Sequence, residues 1–129
     1  MISFFIHGQP PRKSNSRKIV TNRRTGKPML IKSKEALAWV NSALKQIPHH
    51  AQQGIGSAEH PIRATFHVYY ETRRPDLSVE LVLDVLQKAG VISDDRHVYE
   101  CHAYKWFDKY RPGVQVELEV LGMVEVNRP

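Results

Sequence analysis

The sequence predicts an α/β fold, a compact mixed sheet packed against two main helices, and three observations lead there. Ile62 to Glu71 alternates apolar and polar residues without a break, the period-two pattern of a half-buried strand. Two other stretches, Ala36 to Ile47 and Leu77 to Ala89, place their apolar residues at helical spacing. The chain has 129 residues, 41% of them hydrophobic. That is enough for one packed core and too little for two, so residues 1–129 are expected to form a single domain.

In chain order, Ile2 to His7 is apolar, aromatic and β-branched and reads as a strand. Pro10 and Pro11 end it, because proline cannot continue a ladder. Two short β pieces follow, Lys18 to Thr21 and Met29 to Lys32, joined as a hairpin across the Thr25-Gly26 turn signal. Ser33 is placed to cap a helix whose first turn holds Glu35. That helix carries Trp39 on its core stripe and stops at Pro48. His49 to Pro61 reads as a linker; its three histidines match no zinc spacing. The strand Ile62 to Glu71 spans about 33 Å and runs directly into Arg73-Arg74-Pro75-Asp76. The second helix, Leu77 to Ala89, is so apolar that polar residues narrow to Asp76, Glu80, Asp84 and Lys88, each four apart on one side. Such a helix is covered on more than one side, by the sheet and by a second subunit. Gly90 ends it. Val98 to Trp106 and Val114 to Val120 supply the last two strands, with a turn over Asp108 to Gly113.

Charge is segregated along this order. The net charge is +6 and the sequence pI about 9.6. No acidic residue precedes Glu35, whereas Arg12, Lys13, Arg17, Lys18, Arg23, Arg24, Lys27, Lys32 and Lys34 all do. This points to a polyanion partner. The segment lacks a membrane-type amphipathic helix, which favours nucleic acid over lipid. The single cysteine, Cys101, excludes an internal disulfide framework. No signal-type or membrane-spanning segment is evident, and a cytoplasmic protein is expected.

Against this basic background stand acids at both ends of the second helix: Asp76 and Glu80 at its start, Asp94 and Asp95 beyond its end. Their chemistry suits a divalent cation, because phosphodiester hydrolysis needs an activated water and charge relief at phosphorus. Magnesium takes oxygen ligands and keeps several waters, so two or three carboxylates suffice. Arg73, Arg74 and Arg96 beside them would ease carboxylate repulsion and take phosphates. Each acid also has a plain structural role open to it: Asp76 as a helix cap, Glu80 as part of a solvated face, Asp94-Asp95 as turn residues. The ends of the helix lie about 20 Å apart. The carboxylates therefore meet only if the acidic loop folds back along the helix or if two chains pair.

At these residues the chain resembles the RusA family of Holliday-junction resolvases of bacteria and their phages. The resemblance covers most of the sequence: the opening strand with Pro10-Pro11 and Ser14-Asn15, the basic segment, RRPDL, and LDVLQKAGVISDDRHV. It implies a homodimer that cuts four-way DNA junctions symmetrically, in recombination and repair, with magnesium or manganese. It also implies essential aspartates from an Asp-x-Asp-Asn motif and from an Asp-Asp pair before a strand. This sequence departs from the motif. Read forward from Arg74, Asp76 matches the first aspartate and Ser78 stands where the second belongs. Read back from Asp84, Asp76 matches the second and Glu80 falls on the family lysine. One aspartate and the lysine are missing either way, and Glu80 is the candidate substitute carboxylate. Asp95 is the best match of its pair.

The expectation is a magnesium-dependent endonuclease for branched DNA, with Asp76, Glu80, Asp94 and Asp95 as metal ligands. Arg12, Lys13, Arg17, Lys18, Arg23, Arg24, Arg73 and Arg74 would hold phosphates. The alternative is a non-catalytic junction-binding protein with a degraded site on the same fold.

Overall fold

The structure is a computed structural model that describes residues 1–12 and 15–122. Strands are β1 (Ile2–His7), β2 (Arg17–Thr21), β3 (Pro28–Lys32), β4 (Ile62–Tyr70), β5 (Val98–Phe107) and β6 (Gly113–Val120); helices are α1 (Lys34–Gln46) and α2 (Glu80–Lys88). Four strands form one mixed sheet in the order β1-β6-β4-β5, and β2 and β3 form a separate hairpin. β4 pairs parallel to β5 and antiparallel to β6. Parallel neighbours need a crossover, and α2 supplies it. The expected α/β architecture with two helices on a mixed sheet is therefore the observed one.

Alternation along β4 sends Ile62, Ala64, Phe66, Val68 and Tyr70 into the core. They meet Ile2, Phe4 and Ile6 of β1, Val114, Val116 and Leu118 of β6, and the buried faces of both helices. α1 begins where Ser33 accepts the Ala36 amide at 3.1 Å. Its Trp39 is 8% exposed, and the indole nitrogen donates to Gly8 O at 2.9 Å. Both described helices pack on this one face, and the alternate residues of β4, on the other face, are half-buried.

α2 is shorter than its apolar spacing predicts. It starts at Glu80, and its N-cap, Val79, makes no side-chain capping bond. Asp76 is thus three residues short of the cap position and does not cap the helix. The other end is tight. Gly90 sits at φ +73, its amide donates to Gln87 O, and the Val91 amide donates to Leu86 O at 2.9 Å. This is the left-handed turn that glycine closes without strain. It delivers Val91 and Ile92 into the core, both essentially unexposed.

Candidate functional site

The expected carboxylates line α2 and its flanks, and each has a specific local setting. Asp76 lies on the segment between β4 and α2. Both of its oxygens take a bond from one guanidinium: Arg74 Nε to Oδ1 at 3.0 Å and Nη2 to Oδ2 at 2.7 Å. Arg74 itself is only 6% exposed. Its third donor goes to Pro10 O at 2.8 Å, and its guanidinium lies 4.1 Å from the centre of the Tyr70 ring. Three of its N–H donors are thus engaged, and its flat face lies over an aromatic ring. Arg74 was expected to hold phosphate; it is instead an internal clamp on Asp76, because burial and its bonds to Asp76 and Pro10 withdraw it from the surface.

The acidic stripe of α2 is paired with basic side chains of the hairpin, although Glu80 stays exposed. Glu80 pairs with Arg17, and Asp84 Oδ2 lies 3.0 Å from Lys32 Nζ. Arg17 and Lys32 are cross-strand partners at the base of the β2–β3 hairpin. The hairpin is therefore laid against α2 by two ion pairs, and two of the N-terminal cations point inward. Beyond them the same hairpin face carries Ile19 and Leu30, also cross-strand partners, at 73% and 57% exposure. Arg12, Lys18, Arg23 and Arg24 remain exposed, as does Arg73. Lys13, also expected to contact phosphate, lies outside the described residues.

At the far end of α2, Asp94 caps a short 3-10 turn over Asp95–His97, accepting the Arg96 amide at 3.0 Å. Its Oδ2 also lies 3.0 Å from Arg96 Nη2. The Arg96 amide and then its guanidinium hold the Asp94 carboxyl down at about 2, with a smaller contribution from a hydrogen bond to Asp95. Asp95 is exposed, and its amide donates to Gln87 Oε1 at 3.1 Å. The Asp94-Asp95 loop cannot travel back along the helix. Gly54 N donates to Gly90 O, Ile55 N to Val91 O, and Ser93 N to Ile55 O at 2.9 Å. Ser93 Oγ adds a bond to Gly56 O at 2.8 Å. The segment just before the aspartates is stitched to residues 54–56 and rooted in the core.

The four expected ligands consequently do not converge within one chain. Among the described residues, no group of three or more His, Cys, Asp or Glu side chains could hold a metal ion. The donor chemistry says the same: Asp76, Glu80, Asp84 and Asp94 each face a cationic side chain of their own chain. Among the described residues, these four carboxylates do not gather into a divalent-cation site within one chain.

Sequence reasoning did not single out the aromatic face of β5. His67 of β4 stacks on Tyr104 at 5.0 Å and on Trp106 at 6.1 Å between ring centres. The Trp106 indole donates to His67 Nδ1 at 2.9 Å. The available signal was the run of Tyr, Trp and Phe in Tyr104 to Phe107, on a strand with no clean apolar-polar alternation.

No helix among the described residues is long and apolar enough to cross a membrane. The chain matches no curated protein. A scan against family models matches residues 8–119, nearly the whole chain, to Endodeoxyribonuclease RusA. With the α/β fold in place and RRPDL and SDDRHV at the two ends of α2, the chain belongs to the RusA endodeoxyribonuclease family.

Proposed function

We propose that this protein is a structure-specific endodeoxyribonuclease that resolves four-way DNA junctions by paired cuts, acting in the cytoplasm as a homodimer of one-domain chains. The observation that carries the reading is the family match across residues 8–119. The geometry supports a particular form of it. Asp76 and the Asp94-Asp95 loop lie off opposite ends of α2, and the loop is pinned to residues 54–56. Antiparallel α2 helices related by a two-fold axis would set the Asp76 end of one chain beside the Asp95 end of the other. The ion around which these carboxylates do not gather within one chain belongs, on this reading, to the pair. Asp76 and Asp95 are its first ligands, with Asp94 and Glu80 beside them. Magnesium or manganese held there supplies an activated water and charge relief at the phosphate. The chain's own part is to hold phosphates with Arg12, Lys18, Arg23, Arg24 and Arg73, and to fix Asp76 through Arg74. Phosphate contacts set register without reading sequence, which suits recognition by shape.

A second reading has its own support. Arg74, Arg17 and Lys32 already neutralise Asp76, Glu80 and Asp84. A chain whose acids are spent on its own cations would bind junctions and leave them intact. The deciding experiment offers a synthetic four-way junction with magnesium to the wild type, Asp76→Asn and Asp95→Asn. Cleavage by the wild type, with a loss of at least a hundredfold in each variant and unchanged junction binding, is the expected result. Tight binding with no cleavage at any magnesium or manganese concentration selects the binding protein.

A further inference from the structure

β5 forms one edge of the main sheet, and among the described residues no strand pairs with its outer side. Sheet edges are usually blunted by short length, proline, outward lysines, bulges or a covering element. β5 has little of this protection. It runs for ten residues without a proline. Its one bulge lies at its start, opposite the step from Ile62 to Arg63. Its one lysine, Lys105, turns its ammonium group to the backbone oxygen of Arg74 at 2.8 Å. Cys101, Ala103 and Phe107 pair with Ala64, Phe66 and Tyr70, and so share the helix side of the sheet with them. Those three β4 residues are buried, whereas Cys101 and Phe107 are exposed. The helical layer therefore stops short of β5. The other edge, β1, is finished differently: it has six residues, and Ile2, Phe4 and Ile6 are buried.

We propose that β5 is the subunit contact: it pairs antiparallel with β5 of a second copy, centred on Ala103, and joins the two four-stranded sheets into one. The proposal rests on the reading that Asp76 and Asp95 of different chains share an ion, and it names the surface that unites them. A two-fold axis normal to the sheet keeps both α2 helices on one face and sets them antiparallel. It also matches the right ends. Lys105, near the end of β5, holds the segment that bears Asp76. Asp95 stands three residues ahead of Val98, where β5 begins. In an antiparallel pair the end of one β5 lies beside the start of the other, about 4.8 Å away. The Asp76 segment of one chain and the partner's Asp95 then reach the same corner, once on each side of the axis. The register is self-complementary. It sets Glu100 opposite the partner's Trp106, Cys101 opposite the partner's Lys105 and His102 opposite the partner's Tyr104, and no like charges meet. A strand of another protein would fit the edge too, but it would bring no second set of these acids.

The test reads self-association without DNA or metal. In EDTA the wild type is expected to sediment as a dimer. His102→Glu with Tyr104→Glu, and separately His102→Lys with Tyr104→Lys, set like charges opposite each other across the contact. Each pair of substitutions is expected to weaken the dimer about tenfold or more. An equal mixture of the two variants sets opposite charges together and is expected to sediment as a dimer again. Both side chains are exposed, and circular dichroism reports that each variant is folded. Amides on the outer side of β5 should exchange slowly in the wild type and fast in either variant. A monomeric wild type overturns the proposal and leaves the edge to a strand of another protein. Charged variants that stay dimeric overturn it and place the subunit contact elsewhere, and a mixture that stays monomeric overturns the register. A dimer that obeys the charge rule yet leaves a junction uncut in magnesium would sink the nuclease reading and leave this contact standing.

Discussion

At the scale of single residues, the least expected side chain is Arg74. The sequence shows two adjacent arginines before Asp76 and no sign that their fates differ. What separates them is strand geometry: β4 ends at Tyr70, and the turn that follows drops Arg74 onto the Tyr70 ring and leaves Arg73 outside. Removing one partner of a buried pair strands the other, so Arg74→Met is expected to cost on the order of 3 kcal/mol. Chemical denaturation measures this, and a change near zero would mean that Asp76 does not need its clamp. Asp94 gives a pH prediction. Its folded pKa, about 2, lies below its ordinary value of 3.8. A depressed carboxyl stabilises the fold above its unfolded pKa, and the contribution is lost as pH falls through the folded one. The Arg96 amide should therefore stay protected from exchange at pH 5 and lose protection between pH 4 and 2. Protection lost already at pH 5 would mean the cap is not formed. Asp95 was legible as a residue to watch; its amide bond to Gln87 was not, because a contact across eight residues depends on where the helix ends.

At the scale of elements, strand β4, helix α1 and the Gly90 stop were readable from local chemistry alone: alternation, a serine cap, and a glycine where φ must be positive. The hairpin was readable as a hairpin, but the pairing of two of its cations with α2 was not. Its cations are identical in sequence character, and only the register of β2 on β3 decides that Arg17 and Lys32 turn toward α2. Arg17→Ala with Lys32→Ala should raise amide exchange across the hairpin while shifting the global melt little, since partly exposed ion pairs are each worth about 0–1 kcal/mol. A large fall in the melting temperature would show that the hairpin is part of the core. The start of β6 offers a harsher case. A Cβ on Gly113 would collide with the Ile6 carbonyl and come 2.6 Å from the Phe5 ring. Overpacking of that kind costs about 1–3 kcal/mol, so Gly113→Ala should melt measurably below the wild type, and an unchanged melt would mean that β1 gives way freely.

At the scale of the whole molecule, two routes between the ends of α2 were legible in the sequence, a loop folding back or a second chain, and among the described residues the loop is pinned to residues 54–56 instead of folding back. A shared ion makes two measurements diagnostic. Magnesium should raise the melting temperature by linkage to the folded state, and the rise should grow with protein concentration; a rise independent of concentration places any ion within one chain. Mixing Asp76→Asn with Asp95→Asn should restore one intact site per mixed dimer, so the mixture nicks one strand of a junction that neither variant cuts alone. No nicking by a mixture shown to exchange subunits would count against ligands drawn from two chains. Junction affinity should fall steeply with salt, roughly as the number of phosphates neutralised.

The hairpin's separateness has a practical outcome in the test tube. Its tip exposes Arg23, Arg24 and Lys27, while β1, on its N-terminal side, is woven into the main sheet beside β6. Trypsin should cut there first and yield two fragments that stay together through gel filtration and part only in denaturant. Bound junction DNA would shield those bonds, turning a brief digestion into a footprint of where the arm lies.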